Sequence, residues 1–473
     1  MKNPDHSKRI TMKNINKTYR IVFLALIVIA ANSCMVGPNF QKTEITTPRE
    51  FRFSETPADT TANLNWRELF KDPVLTELID SALANNFDAR IAASRIMESR
   101  YYLGYTKADQ LPNFYYNGNA AIGNSLGAFP TGNSATGSFS LTGNLNWELD
   151  FWGKFRRATE AAQAELIASE YGLQAIQISL ISEVANTYYL LLDYKKRLQI
   201  AKRTLTTRTE SLRIIRERFN EGILPEIDLN QAQIQEDYAA GSITVYERAV
   251  AYSENALSIL IGENPREIMV STDIETALPP ESIPAGLPSQ LLTRRPDILE
   301  AEQKVVAQNA RIGVAQAMRF PSISLTGFLG MASPDLSAFN AGDALMGSVG
   351  AGLFGPIFNF GKNKRRVDIE RERTEQLKLN YEKTVIAAFR ETEDALVNVR
   401  TIEQELVFVQ NQVKSATNAA MLSKERYDGG VTSYLEVLEA ERSMFQIELY
   451  YSELLQRRLS AYSALYKTLG GGW

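Results

Sequence analysis

The chain has 473 residues, with 51 Lys and Arg against 55 Asp and Glu and a formal net charge of -4. That acidic balance argues against a nucleic-acid ligand. Its only cysteine is Cys34 and its only histidine is His6, so no internal disulfide can form. Once the segment carrying His6 is removed, His or Cys zinc sites and His-assisted Ser or Cys catalysis are excluded as well.

Residues 1–33 read as a signal peptide. Lys2, Lys8, Arg9, Lys13, Lys17 and Arg20 precede an apolar run from Ile21 to Ala31, 11 residues and too short to cross a bilayer as a helix. These six bases and Asp5 carry +5, so taking them from -4 leaves -9 for the mature chain. Cys34 follows directly in AANSCMVGP, with small residues at Ala31 and Ser33. It is read as a lipobox cysteine that becomes a diacylated N-terminus, against the plainer alternative of a free buried thiol. Met35 in place of Asp implies sorting to the outer membrane. No cofactor or metal is expected beyond the lipid on Cys34.

Residues 34–65 lack any period and read as a lipid-anchored arm. Helical periodicity follows, with Leu75, Leu78, Ile79, Ala82 and Leu83 on one face and Asp72-Pro73 as a start signal. It stops at Pro112. The period then changes to two. A first strand is predicted over about 113–123 and a second over 138–150, where Phe139, Leu141, Leu145, Trp147 and Leu149 alternate with Ser, Thr, Asn, Glu148 and Asp150. This pattern fits a half-buried sheet or a membrane strand with one face to lipid and one to a water-filled lumen. Weaker copies lie at about 322–330 and 347–357. Four strands cannot close a barrel, and an open sheet edge in lipid costs several kcal/mol per unpaired group. Other copies must therefore supply strands, and three copies give the wider bore.

From Gly153 a helix is predicted to 218, 66 residues and about 100 Å at 1.5 Å per residue. Ile178, Ile181, Ala185, Tyr188 and Leu192 step by coiled-coil spacing. The chain turns at FNEGILP, returns over 226–261, and passes through a Pro-rich linker at 263–287, read as a small side elaboration. A second half, 288–473, then repeats the first, 66–262. Gly361, Lys362 and Arg365 lie 208 residues after Gly153, Lys154 and Arg157, Gly430 after Gly222 and Gly470 after Gly262. Before the strands the offset is 209, as for Pro112 and Pro321. Each half is expected to run helix, two strands, long helix, long helix, the second pair of long helices over 361–426 and 432–468.

CMVGPNF, the W-x3-F-x-DP start, NWELDFWGKFRR, RRPDILEAE, RFPSISLTG and the paired turns F-x2-G and Y-x2-G, in this order across nearly the whole chain, resemble the TolC-type outer membrane factor family in its lipoprotein branch (OprM-like or NodT-like). The resemblance implies a homotrimer with a 12-stranded outer-membrane β-barrel and a 12-helix periplasmic tunnel. It also implies a passive exit duct working with a periplasmic adaptor and an inner-membrane transporter of the RND type. Carried onto this chain, the periplasmic gate is Asp228, Tyr427, Glu436 and Glu439, and the adaptor-contacting turns hold Phe219, Gly222 and Gly430. The strand-to-helix transition is at Trp147, Gly153 and Gly361. Thr432 and Ile227 stand where some members have arginine and threonine. Ordinary solvated acids at a helix start are the plainer account of Asp228, Glu436 and Glu439. An enzyme is disfavoured: GPIFNFGKN has five residues between its glycines and Asn363 after Lys362, unlike a phosphate loop. A non-channel coiled-coil tether and a type I secretion duct remain the alternatives.

Overall fold

The computed structural model describes residues 35–53, 65–123, 125–126, 129–130, 136–277, 285–338 and 344–472; Cys34 and the predicted signal peptide lie outside them. In chain order the elements are α1 (Trp66–Leu69), α2 (Pro73–Asn85), α3 (Phe87–Ala108), β1 (Asn113–Gly123), β2 (Ser125–Leu126), β3 (Phe129–Pro130), β4 (Thr136–Leu149), α4 (Lys154–Asn220), α5 (Glu226–Leu260), α6 (Pro288–Arg294), α7 (Pro296–Ala317), β5 (Ser322–Ser333), a 3-10 turn (Leu336–Ala338), β6 (Leu345–Phe354), α8 (Lys362–Asp428) and α9 (Tyr434–Thr468). Helices α4 and α8 are each 67 residues long and α5 and α9 each 35, and in both pairs the bounds are 208 positions apart. Helices α3 and α7, each of 22 residues, are 209 apart. Among the described residues no helix is long and apolar enough to cross a membrane.

The glycines that mark the repeat have a common backbone. Gly153 and Gly361 have φ of 78° and 79°, Gly222 and Gly430 72° and 74°, Gly262 and Gly470 76° and 90°. This left-handed region penalises a side chain. At Gly222 the amide donates to Phe219 O and that of Ile223 to Arg218 O; at Gly430 the equivalent donors are Gly430 and Val431, to Tyr427 O and Arg426 O. These paired bonds are Schellman caps, which satisfy helix carbonyls that would otherwise lack partners.

One compact unit comprises the arm up to Glu44, Ile96–Ser169 and Ala301–Tyr381. Its sheet is antiparallel, in the order β1-β4-β5-β6. The register places Leu145 opposite Phe114 and Gly327, Leu141 opposite Gly118 and Met331, and Gly327 opposite Val349. Since side chains alternate along a strand, most apolar positions of the four strands share one face, with Phe328, Met346 and Phe354 on the other. Asn144, Thr142, Asn117, Thr326 and Ser348 share the other, which is mostly neutral and polar. Within one chain β1 and β6 are edges, and every residue of β6 is exposed.

The strand bounds differ from expectation in four places. β4 spans Thr136–Leu149 and not 138–150. β5 continues to Ser333. β6 spans Leu345–Phe354 and not 347–357, because Pro356 has no amide to donate and a side chain at Gly355 would meet Pro321 at 2.8 Å. The two-residue strands β2 and β3, paired through Ser125↔Pro130 and Leu126↔Phe129, are too short to leave a periodic signal.

The second unit comprises Ile45–Arg95, Glu170–Glu300 and Glu382–Trp473. Its main core joins Leu75, Ile79, Val184, Tyr188, Leu191, Leu257 and Leu454, all 0% exposed. The predicted seam of Ile178, Ile181, Ala185, Tyr188 and Leu192 lies wholly within it. Asp72 caps α2 by accepting from the amides of Val74 and Leu75. The linker after α5 is more than a side elaboration, since Ile268 and Ile274 are 2% and 1% exposed in that same core.

Candidate gate and strand-to-helix junctions

The structure gathers Tyr427 and Glu436 into one cluster where α8 turns into α9. Leu212 and Ile215 of α4, Ala232 of α5, and Tyr434, Val437 and Leu438 of α9 form a small buried core, with Leu224, Leu229 and Tyr427 packed against it. The Tyr427 ring lies 5.5 Å from that of Tyr434, and the Arg218 guanidinium sits 5.2 Å from its centre. Its hydroxyl is buried without a partner.

Glu436 accepts from Arg426 at 3.2 Å and from the Thr432 hydroxyl at 2.5 Å. Thr432 therefore anchors Glu436, one of the candidate gate acids. Among the described residues Glu439 pairs only with Arg442, one turn along its own helix at 2.7 Å, and both are exposed. Asp228 is half-exposed in the first turn of α5, where the helix dipole favours an acid. Ile227 and Ile223 are 60% and 68% exposed beside it, and Val431 is 71% exposed at the other turn. A side chain added at Gly222 or Gly430 would meet nothing within 4 Å, so backbone conformation alone demands glycine there.

Two further charged residues were not singled out by their sequence pattern. Arg208 is 3% exposed. Its guanidinium lies 5.1 Å from the Phe445 ring and 6.0 Å from that of Tyr238, and Nη1 donates to Gln235 O at 2.8 Å. Nη2 is buried without a partner. Glu441 is held above the usual carboxylate range by burial, against the attraction of Arg208 and Lys424. Burial lowers the affinity of Arg208 for its proton, with Glu441 opposing. Arginine and glutamate at ordinary helical spacings give no signal; only the fold shows them desolvated on facing helices.

The junctions between strand and long helix are built differently in the two halves. At the first, the Val36 amide donates to Trp152 O at 3.1 Å. Arg157, 1% exposed, donates to Val36 O, Gly37 O, Asn39 Oδ1 and Glu160. A side chain on Gly37 would meet the Gly313 backbone at 2.4 Å, and one on Gly153 would meet Met35 at 2.6 Å. The residues directly after Cys34 are thus fastened to this junction. Trp147, on the apolar face of β4, donates to Gln110 O at 3.0 Å. At the second junction Gly361 has nothing within 4 Å and Phe360 has φ of 53°; among the described residues the Arg365 side chain makes one hydrogen bond, 3.4 Å to Phe360 O.

Comparison with known proteins supplies the context for these features. The family model described as outer membrane efflux protein matches residues 78–263 and 287–471. The chain is 34% identical over 453 residues to the cation efflux system protein CusC of Escherichia coli O6:H1, covering 94% of this chain and 97% of that protein. It is 32% identical over 461 residues to the probable outer membrane lipoprotein SilC of Salmonella typhimurium, covering 96% and 99%. The crystal structure of the Campylobacter jejuni CmeC outer membrane channel matches with a TM-score of 0.88 at 27% identity, over 93% of this chain and 95% of that one.

Proposed function

The chain belongs to the outer membrane efflux protein family, and we propose that it works there as one third of a passive, acid-mouthed duct. It is an outer membrane efflux channel component. The observation that carries the finer reading is the sheet: four antiparallel strands with one face apolar in register and an unpaired edge on either side. In lipid those edges require partners. A homotrimer pairs β6 of one copy with β1 of the next and closes twelve strands into a barrel whose mostly neutral polar face lines the bore. The same closure covers Tyr101 and Tyr105 on the β1 side and Phe360 on the β6 side, which are 66–80% exposed in one chain.

The duct needs a gate and no chemistry. Three copies of Asp228, Glu436 and Glu439 place nine carboxylates around one mouth, which attracts cations and repels anions. The exposed apolar turns around Gly222 and Gly430 are the surface for a periplasmic adaptor, which links the duct to an inner-membrane transporter in a tripartite system. Cys34 carries the lipid, and the arm fastened by Arg157 brings that anchor to the first junction. The test is single-channel recording with Glu436→Ala and Glu439→Ala combined. The cation-over-anion permeability ratio is expected to fall with stability unchanged; an unchanged ratio would refute the assignment of the mouth.

A further inference from the structure

The second strand-to-helix junction retains the bases of the first and has lost their partners. In the first half Lys154 pairs with Glu148 at 2.9 Å and Arg156 with Asp150 at 3.2 Å, while Arg157 is enclosed by the arm. At the offset of 208 these bases recur as Lys362, Lys364 and Arg365, but Pro356 stands for Glu148 and Phe358 for Asp150. Asp368, at the place of Glu160, pairs instead with Arg371. Among the described residues no carboxylate lies within ion-pair distance of the three bases, and all three are exposed. Such a concentration of charge in the first turn of a long helix also runs against the helix dipole, so the site favours an anion from outside the chain.

Its level and neighbours say which anion. The first junction is one residue from Cys34: Met35 packs on Gly153 and Val36 bonds Trp152. If Cys34 is acylated, as proposed above, this is headgroup level, and Gly361 is its repeat counterpart. Ile357 and Phe358, 102% and 76% exposed, flank the bases. Apolar side chains beside unpaired Lys and Arg form the amphipathic belt that meets phospholipid. The small residue is also repeated: Gly313, against which the arm's Gly37 fits, has its 209-offset counterpart in Gly104, where a side chain would meet nothing within 4 Å. In a closed ring the Gly104 facing Arg365 belongs to the next copy.

The geometry points to a phospholipid site at this second junction. The phosphate of an anionic phospholipid from the periplasm-facing leaflet docks on Lys364 and Arg365, with Lys362 adding charge, and its acyl chains lie over Ile357 and Phe358. This rests on the trimeric, lipid-anchored reading above. The duct would thus hold lipid at six points, three by its own acylated arms and three by captured phospholipid.

The test is native mass spectrometry of the full-length trimer from detergent containing equal phosphatidylglycerol and phosphatidylethanolamine, for the parent and the Lys364→Gln/Arg365→Gln variant. The parent is expected to retain phosphatidylglycerol preferentially, and the variant to lose that preference by about fivefold or more for each base removed, with the trimer intact. Lys364→Arg should keep it, and millimolar inorganic phosphate should not displace the lipid. An unchanged preference, or displacement by free phosphate, overturns the proposal. So does loss of the trimer in the variant, since the bases would then serve the neighbouring copy. The same spectra report the acyl mass on Cys34, which separates failure of this site from failure of the anchor.

Discussion

The junctions at Gly153 and Gly361 have the same left-handed glycine and precede helices of identical length, yet one is enclosed and the other bare. At the first, a guanidinium 1% exposed holds three acceptors of the N-terminal arm. At the second, the corresponding guanidinium reaches a single carbonyl. Duplication fixed the backbone, and side-chain context then assigned the two copies different work. The difference teaches that a repeat constrains conformation more strictly than it constrains contacts.

The largest effect should come from breaking the enclosed copy. Arg157→Ala removes a buried guanidinium and leaves its partly buried acceptors and Glu160 without their donor; it should cost about 3 kcal/mol, read as a lower thermal midpoint in lipid-free detergent. Arg365→Ala should change it by less than about 0.5 kcal/mol. Glycine replacements sharpen the same contrast. Gly262→Ala adds a clash at 2.6 Å with Asn85 O to the conformational penalty, whereas at Gly222 there is no clash. Gly222→Ala should therefore cost about 1–2 kcal/mol, the left-handed penalty alone, and Gly262→Ala measurably more in the same thermal assay.

A smaller, pH-dependent effect is expected at Glu441. Because burial raises its pKa above the ordinary 4.5, the folded protein binds this proton more tightly than the unfolded chain. Its contribution to stability is present at low pH and lost as pH rises through the raised value. Glu441→Gln removes that loss, so the thermal midpoint of the variant should gain on the parent as pH rises from 4.5 through the raised value. A constant difference across that range would show that Glu441 does not titrate there. Smallest of all is the energetic effect of Glu439→Ala, whose exposed pair with Arg442 is worth about 0–1 kcal/mol; its consequence should appear in selectivity and not in stability.

The helices and the repeat were legible in the sequence because Gly and Pro punctuate them. The long run between Gly153 and Gly222 needs no partner to be recognised. The alternation in β4 also foretold the two faces of the sheet, though only the register shows that Leu145, Phe114 and Gly327 share one. What could not be read was long-range. Arg157 and Val36 are 121 positions apart, and nothing local to either marks the bond. Arg208 and Glu441 look like ordinary surface charges until facing helices desolvate them. Ile268 and Ile274, in an aperiodic stretch, gave no sign that they enter the core.

The most direct test of the central claim is single-channel recording from bilayers holding purified protein whose subunit number is established by its mass. The trimeric reading predicts discrete, cation-favouring current steps from a particle of three copies. A membrane-inserted monomer, or a trimer that carries no current in any condition, would contradict it.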